Sequence, residues 1–208
     1  MEGKLPALLA LYEAERMRLN TTPVKRPGER GRPVFGEGPL APRLMLIGEA
    51  PGAEETRLGR PFMGKAGKNL DALLALAGIA RESVFVTNAV KFRPVNVKAR
   101  GISNRTPTPA ELRESLPSLE KEILLVRPAL AATLGNTPLR ALCLLAGAEP
   151  LLIGDVHGRM QTLLIGGTPL CVFPLYHPAS VIYNPTLLPV MEADAKRLGS
   201  ILNETKEA

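Results

Sequence analysis

Short apolar segments alternate with helix-forming segments along most of this chain, and that order limits the folds it can adopt. Residues 44–47 form a continuous apolar run of strand length, residues 129–134 are apolar except for Thr133, and residues 84–90 are rich in β-branched side chains. Residues 160–175 are predicted to form the last two strands, around an Ile-Gly-Gly-Thr turn. Strands that alternate with helices form parallel sheets covered on both faces. The sequence therefore predicts an α/β fold with three layers, α/β/α, around a central, mainly parallel, twisted sheet of four strands.

The helices between these strands are marked by apolar spacing and by end signals. Thr108-Pro109-Ala110-Glu111 has the form of a capping box with proline at the first helical position, and it predicts a helix that runs to about Val126. The other predicted helices cover residues 4–19, 66–77, a segment from about 137, and 185–201. We expect one domain over residues 1–208, in which residues 1–33 form an N-terminal helix and an irregular lead-in.

Positive charge is unevenly distributed along the chain. The net charge is +6, and residues 83–110 contain no Asp or Glu. Lysine and arginine in such a block are typical of a surface that meets phosphates, although solvated loops have the same composition. The distribution favours a polyanionic partner.

Other classes of protein are disfavoured by composition. No apolar run reaches the roughly 18 residues of a membrane helix, so no membrane partner is expected. The two cysteines, Cys143 and Cys171, lie among apolar residues and are predicted to be core residues, which suits a reducing cytoplasm. Two cysteines and two histidines at these spacings predict no metal site.

Polar residues follow the predicted strands at the points where ligands bind in open α/β sheets. Glu49 follows the first strand within GEAPGAEE, Asn88 lies near the end of the second, and His177 follows the last. Because the carboxyl ends of parallel strands share one edge, we expect these side chains to meet.

Several motifs occur in a specific order: GEAPG, GRPFMGKAG, TNAVKFRP, NRTP and HPAS. In this order they resemble the uracil-DNA glycosylase superfamily, and most closely its family 4. The resemblance runs from about Val34 to Asn184, which is most of the chain.

The resemblance implies a monofunctional DNA glycosylase that flips uracil out of DNA and excises it hydrolytically. It implies that Glu49 activates water or stabilises the cationic sugar, and that His177 binds uracil O2 as charge develops there. It also implies that Phe62 stacks on the flipped base, that Asn88 reads its edge, and that the bulk of Glu55 excludes the thymine methyl. Backbone N–H groups of Ala50–Gly52 are expected to bind uracil oxygens.

The implied partner is uracil-containing DNA, single- or double-stranded, bound by a cytoplasmic, nucleoid-associated monomer. The loop after His177 would enter the duplex, with either Val181 or Tyr183 as the wedge. The expected backbone contacts come from Lys65, Lys68, Lys91, Arg93 and Ser180.

The sequence departs from family 4 at the four cysteines that hold an iron–sulfur cluster there. No cysteine precedes the VFGEG segment, Phe92 stands in VKFRP, and Ser115 stands in the following helix. Since a [4Fe–4S] cluster needs about four thiolates, we predict that no cofactor is bound and that Phe92 and residues 20–33 fill its structural role.

Two other functions remain open from the sequence. One is a glycosylase for another deaminated base, hypoxanthine or xanthine. The other is a DNA-binding relative with impaired catalysis, which loss of the cluster ligands suggests and retention of Glu49, Phe62, Asn88 and His177 disfavours.

Overall fold

A five-stranded sheet forms the centre of the computed structural model, which describes residues 3–22, 31–99 and 101–204. The strands are β1 (Leu44–Gly48), β2 (Phe85–Asn88), β3 (Val95–Lys98), β4 (Gly101–Asn104), β5 (Leu130–Leu134), β6 (Gln161–Ile165) and β7 (Thr168–Leu175). The sheet order is β2-β1-β5-β7-β6, while β3 and β4 form a separate antiparallel ribbon. The four parallel strands confirm the predicted sheet, and β6 extends it antiparallel to β7.

Helices cover both faces of this sheet. They are α1 (Lys4–Thr21), α2 (Ala53–Leu58), α3 (Lys65–Leu76), α4 (Pro109–Val126), α5 (Asn136–Ala146), α6 (Ile153–Val156), α7 (Ser180–Tyr183) and α8 (Leu188–Glu204). Side chains of α1, α4 and α5 share one apolar core with Met45 and Ile47, and side chains of α3 and α8 share another with Leu44 and Leu46. Since successive strand residues face opposite sides, β1 has a core on each face. This is the predicted three-layer α/β/α architecture.

The start of α4 matches the sequence prediction in detail. The Thr108 hydroxyl accepts the N–H of Glu111 at 3.2 Å, and the Glu111 carboxylate accepts the N–H of Thr108 at 2.7 Å. The helix ends at Val126, where Arg127 adopts a left-handed conformation. Reciprocal capping of this kind satisfies two of the donors that a helix start leaves free.

Several features differ from the expectation. Helix α2 begins inside the GEAPGAEE stretch, and the β3–β4 ribbon lies within the acid-free block; neither was predicted. Cys143 is buried, but Cys171 is exposed, so the prediction of a core Cys171 was wrong. It lies on β7, where side chains alternate between the core and the outside.

Residues 23–30, most of the predicted irregular lead-in, lie outside the described residues. Among the residues described, no helix is long and apolar enough to cross a membrane. The single domain over residues 1–208 stays a prediction.

Candidate active site

A cleft of about 450 Å³ opens at the carboxyl ends of the parallel strands. It is where α/β sheets hold ligands, and eight residues that the sequence analysis selected line it: Ala50, Gly52, Glu55, Phe62, Lys65, Asn88, His177 and Tyr183. They come from the ends of different strands and from the loops that follow. The convergence predicted from the sequence is therefore present for these residues.

Gly48 brings two of these side chains together. It is the last residue of β1, and its register partner in β2 is Asn88. A Cβ placed on Gly48 would lie 2.5 Å from Phe62 Cζ and closer still to Asn88 Oδ1. The Phe62 ring and the Asn88 amide therefore occupy the space that a larger residue would fill, and both residues line the cleft.

The Asn88 carboxamide has no hydrogen-bond partner among the described residues, although the residue is only 3% exposed. Neither amide atom is among the solvent-sealed polar atoms that lack a partner, so the amide opens onto the cleft. A carboxamide offers a donor and an acceptor side by side. Asn88 therefore presents both functions to whatever occupies the cleft.

Phe62 is held in an unusual backbone conformation. Its φ is +55°, which is uncommon outside glycine and costs about 1–3 kcal/mol. Helix α3 packs directly against it, since a Cβ at Gly67 would overlap the Phe62 carbonyl. The ring is 7% exposed and lies 6.3 Å from the His177 ring, centroid to centroid.

His177 has its tautomer fixed by the loop that carries it. Its Nδ1 lies 3.1 Å from the N–H of Ala179, so Nδ1 accepts and the neutral ring carries its proton on Nε2. Burial lowers the pKa of His177, which favours this neutral form. Asn69 of α3 holds the loop by donating to the Pro178 carbonyl at 2.9 Å. The ring can therefore act as a neutral donor.

Glu49 lies beside the cleft and is half-buried, but it does not line the cleft. Its carboxylate accepts the hydroxyl of Thr137, at the start of α5, at 2.5 Å. The N–H of Val90 donates to its carbonyl at 3.0 Å, so its backbone continues the pairing of β1 with β2. Thr137 fixes the carboxylate, and sequence reasoning did not identify it.

Glu55 binds two glycine-containing loops to each other. Its carboxylate accepts the N–H of Gly52 at 3.0 Å and the N–H of Gly64 at 2.8 Å. The Gly52 N–H therefore donates to Glu55 in this structure, and its contact with a uracil oxygen stays a prediction. Glu54 is exposed and pairs with Arg57.

Lys91 is the clearest correction among the predicted DNA contacts. It is 0% exposed, and its ammonium group pairs with Glu122 in the core. It therefore cannot reach a phosphate. Its position in a basic block suggested a surface residue, but residues 89–92, which follow β2, are all buried.

The other predicted DNA contacts lie at or near the surface. Lys65 and Lys68 are exposed on the first turns of α3, and Arg93 donates to Asn104 Oδ1 at 2.7 Å. Ser180 and Val181 are half-buried, whereas Tyr183 is 87% exposed and lines the cleft.

Asn104 and Ile182 also line the cleft, and sequence reasoning assigned them no role. Asn104 ends β4, and its amide lies on the cleft side of Gly52. It belongs to the NRTP motif, which was the signal available for it. Ile182 is 52% exposed beside Tyr183.

The positions where the resemblance places cluster ligands do not fit an iron–sulfur cluster. Phe92 is 0% exposed within an apolar core, and the Ser115 hydroxyl donates to the Glu111 carbonyl. Neither offers a thiolate, and no group of metal-ligating side chains was found in the part of the chain that the structure describes. The absence of a cofactor stays a prediction.

Comparison with known proteins gives concordant matches. A family model described as the uracil DNA glycosylase superfamily matches residues 35–198. A type-4 uracil-DNA glycosylase of Saccharolobus solfataricus is 39% identical over 175 residues, which cover 84% of this chain and 78% of that protein. From Pyrobaculum aerophilum, a type-4 uracil-DNA glycosylase is 39% identical, covering 76% of this chain and 77% of that protein. A type-5 enzyme of that organism is 31% identical, covering 77% and 71%.

Proposed function

The chain belongs to the uracil-DNA glycosylase superfamily, close to its type-4 members, and we propose that it removes uracil from DNA by hydrolysing the N-glycosidic bond. The product is an abasic site, and the enzyme serves DNA repair. The observation that carries this proposal is the Asn88 amide, which lines the cleft and has no hydrogen-bond partner among the residues that the structure describes. An amide that opens onto the cleft offers a donor and an acceptor that match the uracil O4 and N3–H edge.

Recognition begins with extrusion of the nucleotide, because its glycosidic bond is inaccessible in the stacked duplex. The proposed stacking partner is Phe62, and base–aromatic stacking contributes about 1–3 kcal/mol. Cytosine presents an amine and an unprotonated ring nitrogen at the same edge, so the Asn88 hydrogen bonds would not form in register. Asn88 therefore selects uracil over cytosine.

Departure of uracil places negative charge on its O2, and His177 is the proposed donor to that oxygen. Its Nε2–H is defined by the contact of Nδ1 with Ala179. A neutral donor already aimed at the developing charge stabilises the transition state without rearrangement.

Glu49 is the proposed catalytic carboxylate. The sugar becomes oxocarbenium-like as the bond breaks, and a nearby carboxylate favours that charge and can orient water. The Thr137 hydroxyl holds one carboxylate oxygen and leaves the other for this task. The amide of Asn104, which lines the cleft, is a second candidate for holding the water.

Glu55 is proposed to exclude thymine through its bulk, since it lines the cleft while its carboxylate is anchored to Gly52 and Gly64. Lys65 and Lys68 are proposed to meet the phosphate backbone, and Tyr183 to be the wedge in preference to Val181. Tyr183 is the more exposed of the two and lines the cleft.

A panel of labelled oligonucleotides tests the function. The substrates carry U:A, U:G, T:G, hypoxanthine or single-stranded uracil, and alkaline treatment cleaves any abasic site formed. We expect cleavage at uracil alone. Cleavage at hypoxanthine would favour a glycosylase for another deaminated base. A gel shift without cleavage would favour a DNA-binding protein with impaired catalysis.

We propose that the enzyme acts without an iron–sulfur cluster, as a monomer in the cytoplasm, near the nucleoid. A visible absorbance band typical of iron–sulfur proteins would refute the first part. Gel filtration tests the oligomeric state.

A further inference from the structure

Two oppositely charged side chains lie in the core beside the end of β2, at Thr87 and Asn88. Lys91 and Glu122 are both 0% exposed, and Lys91 Nζ lies 2.5 Å from Glu122 Oε2. Lys91 follows β2 by three residues, and Glu122 lies on α4. Charged residues are almost never fully buried unless they are paired. A fully buried ion pair is therefore unusual and needs a physical explanation.

All three N–H donors of Lys91 and both carboxylate oxygens of Glu122 are engaged. The Lys91 ammonium donates to Glu122, to Thr87 Oγ1 at 2.6 Å and to the Asn88 carbonyl at 2.9 Å. Glu122 also accepts the Thr87 hydroxyl at 2.8 Å and the Tyr12 hydroxyl at 2.5 Å. A network that is fully satisfied is directional and rigid, whereas a partly satisfied one is destabilising.

The network ends on the backbone of the residue proposed to read the base. Thr87 and Asn88 are the last two residues of β2, and Lys91 closes the turn after them onto the Asn88 carbonyl. The N–H of Ala89 donates to the Gly48 carbonyl, which holds the same turn from β1. The peptide that follows Asn88 is thus fixed from two sides.

Stability alone does not account for this arrangement. Desolvation of two charges offsets much of their attraction, and well-packed apolar side chains of similar volume are often as stabilising as a buried ion pair. An apolar pair would supply no hydrogen bond to the Asn88 carbonyl or to Thr87. What the charges add is a fixed orientation of the end of β2.

We propose that Lys91 and Glu122 are positioning residues that hold Asn88 in register with the uracil edge. This proposal rests on the proposed function. It assigns Lys91 a part in base recognition from inside the core in place of the phosphate contact expected from the sequence.

The test replaces both charges together. Lys91→Met with Glu122→Gln keeps the side-chain volumes and leaves no buried charge unpaired. We expect a folded protein whose kcat/KM on single-stranded uracil DNA falls between about 10-fold and 100-fold, since a displacement of about 1 Å at a reacting group can cost 100-fold. The loss should be selective for uracil excision, with affinity for undamaged DNA unchanged.

A double-mutant cycle with Asn88→Ala separates positioning from a structural role. If Lys91 and Glu122 act through Asn88, replacing both of them in the Asn88→Ala protein should cause no further loss of kcat/KM. A loss of the same size in both backgrounds would overturn the proposal, and so would wild-type kinetics in the Lys91→Met/Glu122→Gln protein.

Folding is monitored by thermal unfolding, with Glu13→Gln/Arg16→Met as the matched control. That pair is an exposed ion pair on α1, and its replacement should leave kcat/KM unchanged. If Lys91→Met/Glu122→Gln fails to fold, Thr87→Val decides, because it removes one hydroxyl of the network and keeps both charges. We expect Thr87→Val to lower kcat/KM by less than the double replacement, and to cause no further loss in the Asn88→Ala protein. An unchanged kcat/KM for Thr87→Val alone would refute positioning.

The proposed function is assessed separately on the wild-type protein. If the wild-type protein does not excise uracil, the proposed function is wrong, whatever the variants do. The Lys91–Glu122 pair is then tested by DNA binding alone, with the same set of variants. The measured quantity is the ratio of affinities for DNA with a non-cleavable 2′-fluoro-deoxyuridine and for DNA with thymidine at that position. Loss of this preference in the variants would support positioning, and an equal preference in wild type and variants would reject it.

Discussion

Replacing Gly48 by alanine would place a methyl group between the two side chains proposed to hold the base. The added Cβ would lie 2.5 Å from Phe62 Cζ, about 0.9 Å inside the 3.4 Å at which ordinary contacts begin, and closer still to Asn88 Oδ1. Both contacts are with side chains, so the ring and the amide must move apart. A Gly48→Ala protein should therefore fold, with an overpacking cost of about 1–3 kcal/mol.

The effect on catalysis should exceed the effect on stability. Displacement of about 1 Å at a positioned group can reduce the rate by about 100-fold. We expect the single-turnover rate of uracil excision to fall by that order, measured on single-stranded DNA well below the unfolding temperature. Binding of undamaged DNA should remain close to that of wild type.

Gly154→Ala is the matched control for this experiment. Gly154 lies in α6, and a Cβ there would have nothing within 4 Å. Its excision rate should equal that of wild type. If Gly48→Ala also excises uracil within twofold of wild type, Phe62 and Asn88 do not form the base site together.

Three further predictions concern single residues. Excision should decline as the pH falls, with a midpoint below pH 6.5, because burial lowers the pKa of His177 and protonation removes the Nδ1 acceptor for the Ala179 N–H. The unfolded chain binds that proton more readily than the folded one, so the free energy of unfolding should also decrease below pH 6.5. His177→Ala should remove this His-dependent limb from the pH–rate profile. Tyr183→Ala should reduce excision from duplex DNA more than from single strands, because only the duplex needs a wedge; an equal effect on both would assign the wedge elsewhere. Burial alone would raise the pKa of Glu111, but hydrogen bonds from Arg105 and the Thr108 cap lower it to about 2. The stability that this carboxylate contributes above pH 4.5 should therefore be lost as the pH falls towards 2. Glu111→Gln should flatten that range of an acid-unfolding curve.

The fold was predictable because its main signals are local. Apolar or β-branched segments marked the parallel strands, and Thr108 with Glu111 marked the start of α4. The β3–β4 ribbon was not predictable in this way, because its strands are short and β4 is exposed along its whole length. Helix α2 was hidden by its glycine cap, which lacks the side chain that usually marks a helix start.

The candidate site was predictable to the level of which residues line it, but not of what their atoms contact. The motifs identified Phe62, Asn88 and His177 at the cleft. Composition placed Lys91 on a basic surface, whereas a partner 31 residues away on α4 draws it into the core. Pairings over such distances are set by packing, and neither charge patterning nor spacing encodes them.

Free uracil released by wild type and by Asn88→Ala is the most direct measurement of the proposed chemistry. Chromatography of the reaction under single-turnover conditions, with equal binding of undamaged DNA verified for both proteins, isolates the contribution of the amide. We expect wild type to release one uracil per site and Asn88→Ala to be slower by orders of magnitude. Equal rates of release would contradict the assignment of Asn88 as the residue that reads the base.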